Sequence, residues 1–321
     1  MTDTPGRIIL GPMEGVLDAL MRDMLTDINH YDLCVTEFVR VIDRLLPASV
    51  FYRLCPELHH GGHTPAGTPV RVQLLGQESG WMAENAARAI ALGSPGIDLN
   101  FGCPAKSVNR NRGGATLLKD PEKIYQIVRH CRQAVDSQYT VSAKVRLGWD
   151  DPAQCDEIVD AVNQAGASEL TIHARTKEDG YRADTIKWEY IDQVRRKYSI
   201  PLIANGEIWD YDSAQACREV TGCNDIMVCR GALHLPNLGN VAQHNAAPMA
   251  WHDVVRLLIR YTRYEVDGIK AAYYPNRIKQ WFNYLRHQYP EAKALFADIR
   301  RLNSAGEIST LLEKEHQKKV A

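Results

Sequence analysis

Short apolar runs recur along the first three quarters of the chain, and most of them end in glycine or in a charged residue. Runs of this length that are rich in Val, Ile and Leu are typical of strands covered on both faces. The pattern predicts strands at residues 7–13, 33–38, 70–76, 96–102, 141–148, 170–175, 201–208 and 225–231.

Segments with apolar residues at every third or fourth position separate these strands, which is the spacing of amphipathic helices. They predict helices at residues 18–28, 81–92, 121–135, 153–165, 188–198 and 212–220. Pro121 suits the first turn of one helix, and Gly166 suits the end of another. Strand and helix alternating eight times predict an α/β fold, the TIM (β/α)8 barrel. A doubly wound sheet is the alternative, but it does not usually need eight such units.

The pattern changes after the eighth predicted strand. Residues 237–250 are polar, and no further strand follows them. Helical periodicity then returns at residues 251–265, 275–288, 291–302 and 308–318. We therefore predict two domains, a barrel at residues 1–243 and a smaller all-helical domain at residues 244–321.

The composition is that of an ordinary soluble globular protein, with 45% hydrophobic and 24% charged residues. No apolar run approaches the roughly 18 residues of a membrane span, and the N-terminus has no signal-peptide core. The eight cysteines include no Cys-x-x-Cys pair, so neither a zinc site nor a disulfide framework is predicted. We expect a cytoplasmic protein, and a monomer because no heptad pattern is visible.

The histidines at residues 59, 60 and 63 lack acidic or thiol partners at useful spacing, which favours a solvated glycine-rich loop over a metal site. The net charge of −1 conceals an asymmetry. Residues 251–321 contain thirteen Lys and Arg against eight Asp and Glu, a net +5, which leaves −6 for the rest. A basic C-terminal region suggests a polyanion as partner, although a solvated helix face gives the same count.

Polar side chains cluster at the predicted strand ends, where a barrel of this kind builds its active site. Charged side chains within buried strands are costly unless they meet a partner, and a single polar ligand would account for all of them. The candidates are Gln73, Asn100, Lys144, Arg146, His173, Arg175, Asn205, Gly206, Glu207, Cys229 and Arg230.

The fourth predicted strand ends in Asn100-x-Gly-Cys-Pro104. Pro104 has no backbone N–H and disfavours helical dihedrals at Cys103, so the strand ends there and the thiol lies on a loop. The cations Lys106, Arg110 and Arg112 follow. A thiol in this position is a candidate for chemistry, whereas an ordinary cysteine is a small buried apolar residue.

Glycines directly after the seventh and eighth strands let backbone N–H groups approach a phosphate, the usual phosphate site of this fold. Ordinary turn chemistry would explain the glycines alone. Arg230 adds charge there, while Lys144 and Gln73 lie deeper and could bond the edge of a flat heterocycle. A cation beside the N1/O2 edge of a flavin stabilises its anionic reduced form.

These residues together resemble the tRNA-dihydrouridine synthases along nearly the whole chain. The matching motifs are Pro12-Met-Glu-Gly15, Thr36-Glu37, Val72-Gln-Leu74, Asn100-x-Gly-Cys-Pro104, Gly113-Gly-Ala-Thr-Leu-Leu118, Lys144-Val-Arg146, His173-Ala-Arg-Thr176, Asn205-Gly-Glu207 and Arg230-Gly-Ala232. Residues 37–41 and 277–281 look like the bacterial class C members, which act on uridine 16 of the tRNA D-loop.

The resemblance implies that FMN, reduced by NADPH, saturates the 5,6 double bond of a uracil. Cys103 would supply the proton to carbon 5, and Asn100 and Arg146 would hold the uracil edge. The implied flavin-binding residues are Gly11, Pro12, Met13, Gln73, Lys144, His173, Asn205, Gly206, Glu207, Cys229 and Arg230. The implied tRNA contacts are Arg40, Tyr181, Arg277, Lys279 and Tyr284.

A uracil in folded tRNA must leave its stack to reach a barrel mouth, and the basic helical domain would bind phosphates. We expect Trp281 and Phe282 to be core residues. The chain departs from the family pattern at Cys229, which replaces a usual glycine, and at residues 109–112, which replace a more glycine-rich stretch of some relatives. Gly11 replaces a common alanine, a change expected to be harmless. A flavin barrel that reduces a free pyrimidine and a non-catalytic RNA-binding protein remain the alternative interpretations.

Overall fold

The computed structural model of the protein describes residues 6–110, 113–266 and 274–318, so the predicted cation Arg112 lies outside the described part. Within these ranges eight parallel strands pair in chain order and close a barrel, which confirms the predicted TIM barrel over the doubly wound sheet. The strands are β1 (Ile8–Leu10), β2 (Leu33–Arg40), β3 (Val70–Leu75), β4 (Gly96–Asn100), β5 (Thr140–Arg146), β6 (Glu169–His173), β7 (Leu202–Asn205) and β8 (Ile226–Val228).

Most of the strands end earlier in the structure than the sequence predicted. The residues beyond β7 leave the sheet because Gly206 and Glu207 have φ angles of 122° and 55°, in the left-handed region. The apolar pattern continues past the last residue that is hydrogen-bonded to the neighbouring strands. The sequence alone therefore could not show where the strand leaves the sheet. The residues predicted as strand ends therefore form the loops of the barrel mouth.

Helices cover the outside of the barrel at the predicted places, with ends within a few residues of the prediction. They are α1 (Ala19–Ile28), α2 (Ala48–Leu54), α3 (Ser79–Ala91), α4 (Lys106–Asn109), α5 (Pro121–Ala134), α6 (Cys155–Gln164), α7 (Glu189–Lys197), α8 (Tyr211–Thr221), α9 (Arg230–His234) and α10 (Leu238–His244). The sequence analysis missed α2, α4, α9 and α10, because helices of one or two turns are too short to show periodicity.

The strand register brings the polar side chains to one edge. Asn100 pairs with Lys144, Arg146 pairs with His173, and His173 pairs with Asn205. Because all strands run in the same direction, these residues share the C-terminal rim of the barrel. At the opposite end, Glu169 accepts from Arg71 at 2.6 Å and from Arg7 at 2.7 Å.

The C-terminal region is helical, as predicted, with α11 (Trp251–Val266), α12 (Tyr274–Leu285), α13 (Pro290–Ile299) and α14 (Ala305–Gln317). Trp281 and Phe282 are buried core residues, as expected. The Trp281 indole donates to the Leu233 carbonyl at 3.2 Å, and Arg277 pairs with Asp18 at 2.5 Å. These contacts fix the helical region to the barrel on the side of its mouth.

No helix in the part of the chain that the structure describes is long and apolar enough to cross a membrane.

Candidate active site

A cavity of about 550 Å³ opens at the C-terminal ends of the strands. Its volume is typical of a site for a cofactor or small molecule. The predicted residues that line it are Pro12, Met13, Gln73, Asn100, Cys103, Lys144, Arg146, His173, Tyr181, Asn205, Gly206, Glu207, Cys229, Arg230 and Tyr284. Predicted residues from every strand except β2, or from the loop directly after it, therefore converge on one space, as the strand-end pattern predicted.

Five predicted residues lie outside this lining, and one of them, Arg175, is fully buried and pairs with Glu207. Gly11 lies behind it, where a Cβ atom would stand 2.6 Å from the Cys229 sulfur. Arg40 donates to the Ser107 carbonyl at 3.3 Å, beside α4. Arg277 and Lys279 instead line a shallow polar depression of about 420 Å³ on α12.

Gly11 and Cys229, which both depart from the family pattern, are therefore neighbours. Any side chain at position 11 would meet the sulfur atoms of both Cys229 and Met227 at 2.6 Å. A glycine at position 11 thus leaves the space that the Cys229 thiol needs.

Sequence reasoning missed several lining residues. Glu37 and Trp209 both face the cavity. Glu37 is buried, which raises the pKa of its carboxyl group, and it accepts a hydrogen bond from the backbone N–H of Gly15. An acidic residue inside an apolar strand was a visible signal, whereas nothing local marked Trp209.

One wall of the cavity is a chain of side-chain amides. The Asn100 Oδ1 atom accepts from the backbone N–H groups of Gly102 and Cys103, both at 3.0 Å. Its Nδ2 atom donates to Gln73 Oε1 at 2.7 Å, and Gln73 Nε2 donates to Asp98 Oδ2 at 2.6 Å. The loop that carries the thiol is therefore bonded to the interior of the barrel.

The Cys103 thiol is partly buried and borders the cavity. Burial raises the pKa of this thiol, while a hydrogen bond from the Ala105 backbone and the charges of Arg146 and Lys144 oppose that shift. The net effect keeps the thiol protonated at neutral pH. Cys103 can therefore donate a proton to a group in the cavity.

Lys144 and Asn205 form the next part of the wall. Lys144 Nζ donates to Asn205 Oδ1 at 3.1 Å, and Asn205 Nδ2 donates to the Met227 carbonyl at 2.8 Å. Burial lowers the pKa of Lys144, and the charge of Arg146 lowers it further. An electron-rich ligand edge beside Nζ would offset that cost.

His173 lies against this pair and is neutral at physiological pH. Burial lowers its pKa well below the usual value, and the nearby Arg146, Lys144 and Arg175 lower it further. Arg175 Nη1 lies 3.3 Å from His173 Nε2, and arginine can only donate. His173 Nε2 therefore accepts, and the ring proton lies on Nδ1.

Arg146 ties two loops together. Its Nε atom donates to the Gly102 carbonyl at 2.9 Å, and Nη1 donates to the carbonyls of Thr176 and Gly180 at 3.0 Å each. The exposed Tyr181 ring stands above the cavity, with the guanidinium groups of Arg146 and Arg230 each 5.1 Å from its centroid. The rim thus combines an aromatic face with cations.

The ends of β7 and β8 form a narrow cradle. A Cβ atom at Gly206 would meet Ile186 at 2.8 Å and the His173 ring at 3.0 Å, so only glycine fits there. Glu207 accepts from Arg175 at 2.7 Å, from Arg230 at 2.8 Å and from the Trp209 indole at 2.9 Å. The cradle pairs close backbone approach with a fixed cation, which suits a phosphate.

No group of His, Cys, Asp or Glu residues within residues 6–110, 113–266 and 274–318 is arranged to hold a metal ion.

Comparison with known proteins identifies the family. A model of the dihydrouridine synthase (Dus) family matches residues 9–318. The chain is 64% identical over 311 residues to the tRNA-dihydrouridine(16) synthase of Vibrio cholerae, covering 97% of this chain and 95% of that relative. It is 56% identical over 307 residues to the Escherichia coli K12 tRNA-dihydrouridine(16) synthase, covering 96% and 98%.

Solved structures support the fold. Morphinone reductase superposes with a TM-score of 0.54 at 13% sequence identity, covering 78% of this chain and 92% of that one. An identity this low speaks for the barrel alone, whereas the family match extends over almost the full sequence. The chain belongs to the dihydrouridine synthase family, which confirms the resemblance that its motifs indicated.

Proposed function

We propose that this dihydrouridine synthase reduces uridine 16 in the D-loop of tRNA, with FMN as its flavin and NADPH as the reductant. The observation that carries the proposal is the placement of a protonated Cys103 thiol on the wall of a cavity that also presents Lys144, Asn205 and a neutral His173. The names of the relatives, which match over nearly the full chain, supply the position in tRNA.

The cavity fits FMN in size and in chemistry. The Gly206 cradle beside Arg230 would take the phosphate, and Lys144 and Gln73 would bond the edge of the flavin ring. Gly11, Pro12, Met13, Asn205, Glu207 and Cys229 complete the residues that would hold it. When bound, FMN supplies the hydride that saturates the double bond at carbon 6 of the uracil.

Cys103 completes the reaction by giving its proton to carbon 5 of the uracil. The raised pKa suits this role because a thiol that remains protonated needs no other acid beside it. Asn100 and Arg146 would hold the uracil edge. Asn100 Nδ2 has a second N–H besides the one that bonds Gln73.

The mouth of the cavity would receive the flipped nucleotide. Tyr181 and Tyr284 line the opening, where their rings could stack on the flipped nucleotide. Arg40, Arg277 and Lys279 would fix the orientation of the tRNA from the rim and from α12. Because the substrate is tRNA, we place the enzyme in the cytoplasm.

The direct test maps dihydrouridine in an unmodified tRNA incubated with the protein, FMN and NADPH. A transcript with cytidine at position 16 is the matched control. We expect dihydrouridine at position 16 and none in the control. Dihydrouridine elsewhere in the D-loop would refute the position. NADPH oxidation by a flavin-loaded protein without dihydrouridine in any tRNA would refute the tRNA substrate and favour a free pyrimidine.

The pKa shifts predict the pH dependence of uracil reduction by the pre-reduced enzyme. Because the pKa of Cys103 is raised, its protonated form persists through neutral pH, and the rate should fall only at alkaline pH, above the range in which an ordinary thiol titrates. His173 should cause no further change of the rate near neutral pH, because its pKa lies well below that range. Stopped-flow measurement of flavin reoxidation by tRNA gives this profile.

The control is Cys103→Ser, whose residual rate should lack the alkaline fall, since the serine hydroxyl does not titrate there. A fall that persists in Cys103→Ser would assign the titration to another group. A fall centred between about pH 6 and 7 in the wild-type enzyme would contradict the assignment of both residues.

Replacement of Lys279 by alanine tests the proposed tRNA surface. Lys279 lies on α12 with Nζ 3.3 Å from Asn303 Oδ1. Removal of one phosphate contact should weaken binding of all tRNAs alike and reduce the slope of log Kd against log salt by about one. Arg129→Ala, an exposed cation on α5, is the matched control and should change neither quantity. Equal effects of both variants would exclude α12 as the surface.

A further inference from the structure

The amide chain behind the catalytic loop runs in one direction. The backbone N–H groups of Gly102 and Cys103 donate to Asn100, Asn100 donates to Gln73, and Gln73 donates to Asp98. Every donor therefore points from the loop towards the interior. Two of the three side chains are amides that could in principle be turned end for end.

The loop end of the chain decides that direction. A backbone N–H can only donate, so Asn100 must present its oxygen to the loop and its NH2 group to Gln73. Gln73 must then present its oxygen to the NH2 group of Asn100, which leaves its own NH2 group to donate to Asp98 Oδ2. If Gln73 were reversed, its NH2 group would face the NH2 group of Asn100.

Asp98 is buried within the barrel sheet, between two neighbouring strands. It is 1% exposed and belongs to β4, where it pairs in register with Gln73 of β3 and Ser142 of β5. Ser142 Oγ donates to Asp98 Oδ1 at 2.6 Å, which leaves Oδ2 to accept from Gln73. Arg71 in turn donates to Ser142 Oγ at 2.9 Å.

We propose that Asp98 is a positioning residue, which fixes the amides of Gln73 and Asn100 and through them holds the Gly102–Cys103 backbone in one conformation. The thiol then has a single approach to the cavity. The acceptor oxygen at position 98 is what matters, and its charge is secondary. The consequence for catalysis rests on the proposed function of Cys103.

The role has a physical reason. A proton donor must lie within hydrogen-bond reach of the reacting atom, and a small displacement is costly in rate. Cys103 lies on a loop, and loops are less rigid than the strands that carry them. The amide chain transfers the rigidity of β3, β4 and β5 to that loop. Gln73 and Asn100 keep their second N–H groups for ligands.

Three variants test the proposal. Asp98→Leu removes the acceptor and keeps the number and branching of the side-chain heavy atoms. Asp98→Asn keeps an oxygen for Gln73, because its NH2 group can donate to Ser142 Oγ while the Ser142 hydroxyl turns to the Ile97 carbonyl at 3.2 Å. Ser142→Ala is the matched control, since it removes the other hydrogen bond of Asp98 and leaves the chain intact.

The measurement is amide hydrogen exchange at Gly102 and Cys103 in the full-length FMN-loaded protein, with the thermal midpoint measured in parallel. We expect exchange at least about tenfold faster in Asp98→Leu, and within about twofold of wild type in Asp98→Asn and Ser142→Ala. Unchanged exchange in a folded Asp98→Leu would overturn the proposal. So would exchange that simply follows the thermal midpoint in all three variants.

If Asp98→Leu does not fold, a second pair of variants, in which the amide and the carboxylate on either side of Gln73 change places, tests the proposal. Asn100→Asp alone places carboxylates on both sides of Gln73, so one of them meets its oxygen. Adding Asp98→Asn lets Gln73 turn over and satisfies every donor again. The double variant should recover the slow exchange that Asn100→Asp loses, and failure to recover it would refute the chain.

Amide exchange needs neither tRNA nor NADPH. A wild-type protein that makes no dihydrouridine but shows the expected exchange pattern would refute the proposed function and leave the role of Asp98 standing. A wild-type protein that makes dihydrouridine at position 16, together with variants that lack the expected exchange pattern, would support the proposed function and refute the role of Asp98.

Discussion

The hydrogen bonds of the Asn100 side chain connect the chemistry of this protein to its fold. Its oxygen holds two backbone N–H groups of the thiol loop, and its NH2 group reaches Gln73 inside the barrel. Pro104 prevents the strand from continuing, so Cys103 must lie on a loop. Asn100 makes that loop a fixed part of the cavity wall.

The buried charges around the cavity fit the same logic. Arg175 is fully buried and pairs with Glu207, which also holds Arg230 at the cradle. Charges taken out of water are tolerated only when good geometry satisfies them. The protein thus builds a polar site in advance of its ligand. A neutral His173 and a protonated Cys103 result from the same burial and the same cations.

Much of this could be predicted from the sequence. Buried parallel strands read as continuous apolar runs, so a polar residue at the end of a run stands out, and Asn100, Lys144, His173 and Asn205 were found in this way. Closure of the barrel then required these ends to meet. Core positions of the C-terminal helices such as Trp281 followed from helical spacing.

Other features depend on contacts between distant segments, which no local pattern records. The pairing of Glu207 with two arginines requires the register of three strands. The packing of Cys229 against Gly11 joins the two ends of the barrel sheet. Asp98 was hidden inside an apolar run, and only its partners on β3 and β5 show what it does. Short helices such as α4 carried no periodic signal.

The mechanism that we propose depends on Cys103 as the proton donor, in a site whose other residues are in place without it. Single-turnover mixing of unmodified tRNA with pre-reduced enzyme tests this most directly, in wild type and in Cys103→Ser. We expect the variant to bind FMN and to be reduced by NADPH at the wild-type rate, but to form dihydrouridine at least about a hundredfold more slowly. An unchanged rate of dihydrouridine formation would show that Cys103 is not the proton donor.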